Sequence, residues 1–278
     1  MYGSLTGKTV LVTGAGKNIG ESIAYAFAAE GCNLILHALH ASSVARTMKN
    51  VRSRFSNAAV SGFACDMRDR DAFSKGFDGV VAEMGNPDIL VNNAGGSAGL
   101  INKISSFVDA ELSTHDFVID LNLKGTILAT KLVLPTMIKR GWGRVINIAS
   151  IAGEVGLVNR VDYSAAKAGV IGLTRALAME VGRFGVTVNC VSPGGIMRGQ
   201  DDRFIGTYVC GGGRSKPCEI ANMVTFLASD QGRFITGVDY AVDGGLTLGT
   251  SNCRPSNPDS RVGKAGIGQK VKNILKKI

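Results

Sequence analysis

Seven short runs rich in valine, isoleucine and leucine recur along the chain: KTVLVT (8–13), NLILHA (33–38), AVSGFAC (59–65), DILVN (88–92), GRVINIAS (143–150), VTVNCVS (186–192) and VDYAVD (238–243). Longer segments with helical apolar spacing separate them, at about 18–30, 41–55, 69–84, 111–140, 163–183 and 218–229. Strands this apolar bury both faces, and strands that alternate with helices pair in parallel. Right-handed crossovers then wind the chain into a doubly wound α/β sandwich of about seven strands.

No linker or repeat interrupts this pattern before residue 250. Residues 1–249 therefore read as one domain and 250–278 as an extension. The extension carries Arg254, Arg261, Lys264, Lys270, Lys272, Lys276 and Lys277 against one acid, Asp259, which is six of the chain's net +9. The basicity belongs mostly to the tail, so no nucleic-acid partner is expected for the body. Val271, Ile274, Leu275 and Ile278 recur at helical spacing among lysines. Contact of this short amphipathic helix with a membrane is the lesser expectation, below a frayed or docked chain end.

Six cysteines show no CxxC pair, and Cys32, Cys65 and Cys190 lie in apolar runs. That fits reduced thiols and a cytoplasmic setting. The start of the chain has no signal-type segment, and no apolar run reaches the ~18–20 residues of a membrane span. His37, His40 and His115 are too few and too scattered for a metal site, and His37 is expected in the core or at a sheet edge.

VTGAGKNIGESIAYAF runs strand, turn, helix. Gly14, Gly16 and Gly20 let the backbone turn sharply and let a pyrophosphate approach the helix N-terminus, as in a Rossmann-like nucleotide site. In VDYSAAKAGV, Tyr163 and Lys167 stand four apart, on one helix face, with only small residues around them. Moving a phenol from pKa ~10 to ~7 requires about 4 kcal/mol. A cation ~5 Å away at an effective dielectric of ~20 supplies about 3 kcal/mol of it.

These motifs together resemble the short-chain dehydrogenase/reductase family over about residues 5–248. The glycine turn matches its TGxxxGxG, with Asn18 where the family has its middle glycine. Asn tolerates left-handed backbone and caps helices well, so the turn is expected to survive. NNAG (92–95), Asn122 in DLNLKG, Ser150 thirteen residues before Tyr163, VSPGG (191–195) and FITGVDYAVDGG (234–245) follow in the family's order.

The resemblance implies an enzyme that passes a hydride between a nicotinamide and a carbonyl carbon. Tyr163 would be the acid/base and Ser150 would stabilise the substrate oxygen. Lys167 would lower the phenol's pKa and hold the ribose, and Asn122 would position a proton-relaying water. The coenzyme would lie along Gly14, Gly16, Lys17, Asn18, Ile19, Gly20, Asp66, Met67, Asn93, Ala94, Gly95, Pro193, Gly194 and Ile196, and against Tyr163 and Lys167. The second strand ends at Ala38-Leu39-His40 with no acid for a ribose diol, and Lys17 adds a cation. NADP(H) is therefore expected over NAD(H), with His40, Ser42 and Arg46 as further contacts.

The turn reads PGGIMR, with Arg198 where the family has threonine. The segment from Pro193 to GRSKPCEIA is short and carries Gly211, Gly212 and Gly213. Because this region usually forms the substrate lid in the family, the resemblance implies a reduced lid over a more open pocket. The substrate is a small carbonyl or alcohol compound of unread identity, with a 3-oxoacyl thioester as one alternative. A cofactor-using epimerase is disfavoured by the glycine spacing, and a non-catalytic scaffold by the intact Ser150, Tyr163 and Lys167. Family members pair the long helices at 111–140 and 163–183 across subunits, so a homotetramer is expected.

Overall fold

A computed structural model of the protein describes residues 2–197 and 214–248. All seven expected strands form: β1 Thr9–Val12, β2 Asn33–Ala38, β3 Val60–Ala64, β4 Ile89–Asn92, β5 Gly143–Ile148, β6 Val186–Pro193 and β7 Asp239–Val242. They make one parallel sheet in the order β3-β2-β1-β4-β5-β6-β7. The order reverses direction between β1 and β4, and ligands of such sheets bind outside the strand ends at that reversal.

Eight helices flank the sheet among the described residues: α1 Asn18–Ala29, α2 Ala41–Arg54, α3 Arg70–Met84, α4 Leu112–Ile119, α5 Gly125–Arg140, α6 Ala152–Val155, α7 Val161–Val181 and α8 Pro217–Ala228. Alternate strand residues serve opposite faces. Val10, Val12, Leu34, Leu36, Val91 and Ile146 pack against α1, α2 and α8. Leu11, Ile35, Leu90, Val145 and Val188 pack against α3, α5 and α7. None of these helices is long and apolar enough to cross a membrane.

The expected single helix at 111–140 is instead two. A wider turn at Asp120–Lys124 separates α4 from α5. Helix α6 is a further element, too short for its periodicity to show in the sequence. The basic tail, Arg198 and Gly211–213 lie outside the described residues.

His37 sits in the core, as expected, at 2% exposure. Its ring lies 5.1 Å from Phe63 and 5.0 Å from Phe73, with Nε2 3.1 Å from the Cys65 carbonyl. Burial pushes its pKa down from 6.5 to about 4. Between about pH 6.5 and pH 4 the unfolded chain thus binds a proton that the folded chain refuses. Stability should fall with acid across that window by about 3 kcal/mol from this one group. Denaturant midpoints on either side of the window should show it. A His37→Leu chain should lose that part of the acid dependence, and an unaltered slope would contradict the assignment.

Candidate active site

The turn between β1 and α1 is packed too closely for side chains. Gly14 has φ 66, and a Cβ there would stand 2.8 Å from Ala94 Cα. A Cβ on Gly20 would stand 2.2 Å from the Gly14 carbonyl oxygen and 2.6 Å from Asn93 Nδ2. Asn18 adopts φ 55, the left-handed conformation its chemistry allows. The N-cap position falls to Lys17 rather than Asn18, and no side-chain bond caps this helix start. Lys17 is exposed, while Asn18 and Ile19 are half-buried. A bare turn with uncapped amides at a helix N-terminus suits the pyrophosphate of a dinucleotide.

Thr13, not singled out in the sequence, fixes this turn to the NNAG loop. Its Oγ1 accepts the amides of Asn93 and Ala94, each at 3.0 Å. Asn93 Nδ2 returns bonds to the carbonyls of Thr13 at 3.1 Å and Gly14 at 3.0 Å. Beneath them Asn92 Nδ2 donates to Thr130 Oγ1 at 2.9 Å and to Asn147 Oδ1 at 2.8 Å. Asn147 Nδ2 in turn donates to Thr174 Oγ1 at 2.8 Å, tying β4, β5, α5 and α7 together under the site.

On the second-strand side, a Cβ on Gly16 would stand 2.8 Å from Ser43 Cβ and 3.2 Å from Ala38 Cβ. The Arg46 guanidinium donates to the Gly16 carbonyl, so a cation closes over the turn near Lys17. Ser43, rather than the exposed Ser42, faces the turn, a register the sequence alone does not reveal. His40 is exposed just ahead of α2. The Asp66 carboxylate is engaged by Arg68 through Nε at 3.0 Å and Nη2 at 2.5 Å. Those hydrogen bonds hold its pKa below the usual value. Met67 is 4% exposed, and a Cβ on Gly125 would stand 2.7 Å from its Cγ, so its side chain is core.

The wider turn Asp120–Lys124 aims Asn122 inward. Asn122 Nδ2 donates to the carbonyls of Gly96 and Val118, both at 2.8 Å, and Oδ1 accepts the Gly96 amide at 3.0 Å. Gly95 is the meeting point of two distant motifs. A Cβ there would stand 2.5 Å from Asn122 Oδ1 and 3.3 Å from Lys167 Nζ.

Lys167 is 4% exposed, and its Nζ donates to the Ile148 carbonyl at 2.7 Å. The same Nζ lies 5.7 Å from the centroid of the Tyr163 ring. Burial pushes the Lys167 pKa down from 10.5 to about 8, so the group is still an ammonium at neutral pH. One carbonyl uses one of its three N–H donors, leaving donors for ribose hydroxyls.

Ser150 is half-buried, and its Oγ accepts the Ala152 amide at 3.1 Å. Helix α6 then rests directly on α7: a Cβ on Gly153 would stand 2.7 Å from the Ala168 nitrogen and the Lys167 carbonyl carbon. Gly153 thus sets how near Ser150 lies to the helix bearing Tyr163. Its only sequence signal is its place in SIAG just after the serine.

Pro193 ends β6 and its carbonyl accepts the Ile151 amide at 3.2 Å. A Cβ on Gly194 would stand 2.7 Å from Asp243 Cβ. Ile196 forms an isolated parallel bridge with Ser215.

A side-chain-free turn able to take a dinucleotide and a buried ammonium beside a phenol meet through the NNAG loop, where a Cβ on Gly95 would stand 3.3 Å from Lys167 Nζ. The sequence profile of the short chain dehydrogenase family matches residues 8–201. The chain belongs to the short-chain dehydrogenase/reductase family. It is 36% identical over 249 residues to (2S)-[(R)-hydroxy(phenyl)methyl]succinyl-CoA dehydrogenase subunit BbsD of Thauera aromatica, covering 87% of this chain and 97% of that protein. It is 36% identical over 255 residues to D-threitol dehydrogenase of Mycolicibacterium smegmatis, covering 88% of this chain and 94% of that protein. It is 33% identical over 251 residues to 3-oxoacyl-[acyl-carrier-protein] reductase FabG of Thermotoga maritima, covering 88% of this chain and 99% of that protein. As a member of this family the protein is an oxidoreductase of alcohol and carbonyl groups that uses a nicotinamide coenzyme.

Proposed function

We propose that the protein interconverts a ketone and a secondary alcohol with NADP(H), and that Tyr163 is its acid/base. The observation that carries this reading is the Lys167 ammonium, 4% exposed and 5.7 Å from the Tyr163 ring centroid. Burying a lysine is costly, and a site that holds one beside a phenol favours the phenolate. When bound, the coenzyme supplies or accepts the hydride. Tyr163 gives a proton to the carbonyl oxygen or takes one from the alcohol. Ser150 Oγ shares the developing negative charge on that oxygen. Asn122 fixes the backbone at Gly96, next to the point where Lys167 Nζ meets Gly95, and serves the proton path to solvent. Thr13 and Asn93 keep the glycine turn in place for the pyrophosphate.

The choice of NADP(H) rests on Lys17 and Arg46. Both stand at the turn, where β2 ends at Ala38 without a carboxylate. Two cations and no acid favour the 2′-phosphate over a bare diol. Asp66 reaches the adenine side only in company with Arg68. Residues 1–249 act as one catalytic domain in a cytoplasmic homotetramer, with 250–278 as an appendage.

A 3-oxoacyl thioester is the second reading, favoured by relatives named for a coenzyme A thioester and an acyl-carrier thioester. Purified protein with NADPH or NADH and a panel of ketones, 3-oxoacyl thioesters and polyols tests both. The expected result is oxidation of NADPH, with a KM at least about tenfold below that for NADH, as loss of one charged contact implies. Equal KM values would overturn the coenzyme assignment. Oxidation of neither coenzyme across the panel would overturn the reaction.

A further inference from the structure

Asp162 directly precedes Tyr163, and its side chain is 8% exposed. Its Oδ1 accepts the Tyr163 amide at 2.7 Å in the first turn of α7. Its Oδ2 faces His115 Nδ1 on α4 at 3.4 Å. The His115 ring is stacked on Phe107, with centroids 5.5 Å apart and planes at 25°. A cavity of about 10 Å³ lies at this junction, lined by Phe107, Thr114, His115, Asn159, Val161 and Asp162.

Helix capping explains only half of this. A carboxylate in the first turn answers exposed amides and the helix dipole. It does not require an imidazole from another helix, nor an aromatic ring laid over that imidazole. The other charged groups around the junction are engaged elsewhere. Lys103 pairs with Glu111 at 2.6 Å, and Arg160 donates to the Asn159 carbonyl at 3.0 Å. The pair joins two elements that matter: α4 leads into the turn carrying Asn122, and α7 carries Tyr163 and Lys167.

We propose that His115 and Asp162 are positioning residues for Tyr163: the pair pins the first turn of α7 to α4 and so holds the phenol beside Lys167. This rests on the reading of Tyr163 as acid/base. Neither side chain needs to touch substrate or coenzyme. Phe107, on the loop before α4, stacks on the His115 ring and so restrains the ring's orientation toward Asp162, across a contact long for a hydrogen bond of its type.

The phenol itself reports the effect without any substrate. Ultraviolet difference titration of tyrosinate in the full chain saturated with NADP⁺, less the same titration of its Tyr163→Phe counterpart, isolates this one group. In the unmodified protein it should ionise well below the ordinary value of ~10. In His115→Phe, which keeps a ring on Phe107 but loses the bond to Asp162, ionisation should move up by about one unit. His115→Asn, which restores a donor near the place of Nδ1, should return most of that shift. NADP⁺ affinity should stay within about twofold between the unmodified chain and its His115 variants, since neither His115 nor Asp162 is among the coenzyme-binding residues. If His115→Phe fails to fold, His115→Leu carries the same comparison with less bulk. A phenol that titrates unchanged without His115 would overturn the positioning role. A phenol that ionises no earlier than ~10 in the unmodified protein would overturn the acid/base reading as well.

Discussion

Lys167→Met should lower turnover about a thousandfold while leaving the folded state as stable as before. The two halves of this expectation have one cause. Lys167 is 4% exposed, and its pKa is pushed from 10.5 down to about 8 by burial. At neutral pH both folded and unfolded chains hold the proton, so the fold carries the full cost of that buried charge, about 3 kcal/mol. Stability contributed by this group therefore rises as pH increases from about 8 to 10.5 and is at its lowest below that range. Methionine fills a similar volume without the charge, which offsets the loss of the bond to the Ile148 carbonyl. The catalytic loss has no such offset. The proposed acid/base would lose the ammonium 5.7 Å from its ring centroid, the charge that favours its phenolate, and correctly tuned acid/base catalysis is worth about 10²–10⁴. Initial rates with saturating coenzyme, paired with calorimetry at neutral pH, separate the two effects. A loss of stability that matches the loss of rate would mean that Lys167 serves the fold alone.

The strands were legible because each is buried on both faces, which leaves an uninterrupted apolar run with no competing pattern. Val10, Leu11 and Val12 show this: alternate members enter opposite cores. The glycine turn was legible through the same logic, since Gly14 and Gly20 stand where no Cβ fits. Asn18 shows that a motif tolerates a substitution when the replacement reaches the same backbone conformation, here φ 55.

The break at Asp120–Lys124 was not legible. A wider turn adds backbone without disturbing the apolar face, so the hydrophobic spacing on either side reads as continuous. Its cause is a side chain rather than a pattern: Asn122 Nδ2 takes the Val118 carbonyl at 2.8 Å, where a regular helix would place a backbone amide. Helix α6 was hidden by length, and the significance of Gly153 by distance, because its close neighbours at Lys167 and Ala168 are known only once α6 has docked. The clamp of Arg68 on Asp66 was likewise hidden. Both residues were visible, but a carboxylate two positions from a guanidinium pairs with it only in a bent backbone, such as the turn where the Asp66 carboxylate also accepts the Arg68 amide at 2.9 Å.

The proposed chemistry comes down to one phenol and its surroundings. Ser150 and Asn122 would serve the substrate oxygen and the proton path, the glycine turn would hold the coenzyme, and the proton itself is proposed to pass through Tyr163. The most direct measurement is the turnover of Tyr163→Phe beside its affinity for NADPH. Removing one hydroxyl should lower kcat by about 10³ or more and leave the dissociation constant of NADPH within about twofold. A variant that turns over at near the unmodified rate would contradict the account, whatever its affinity for the coenzyme.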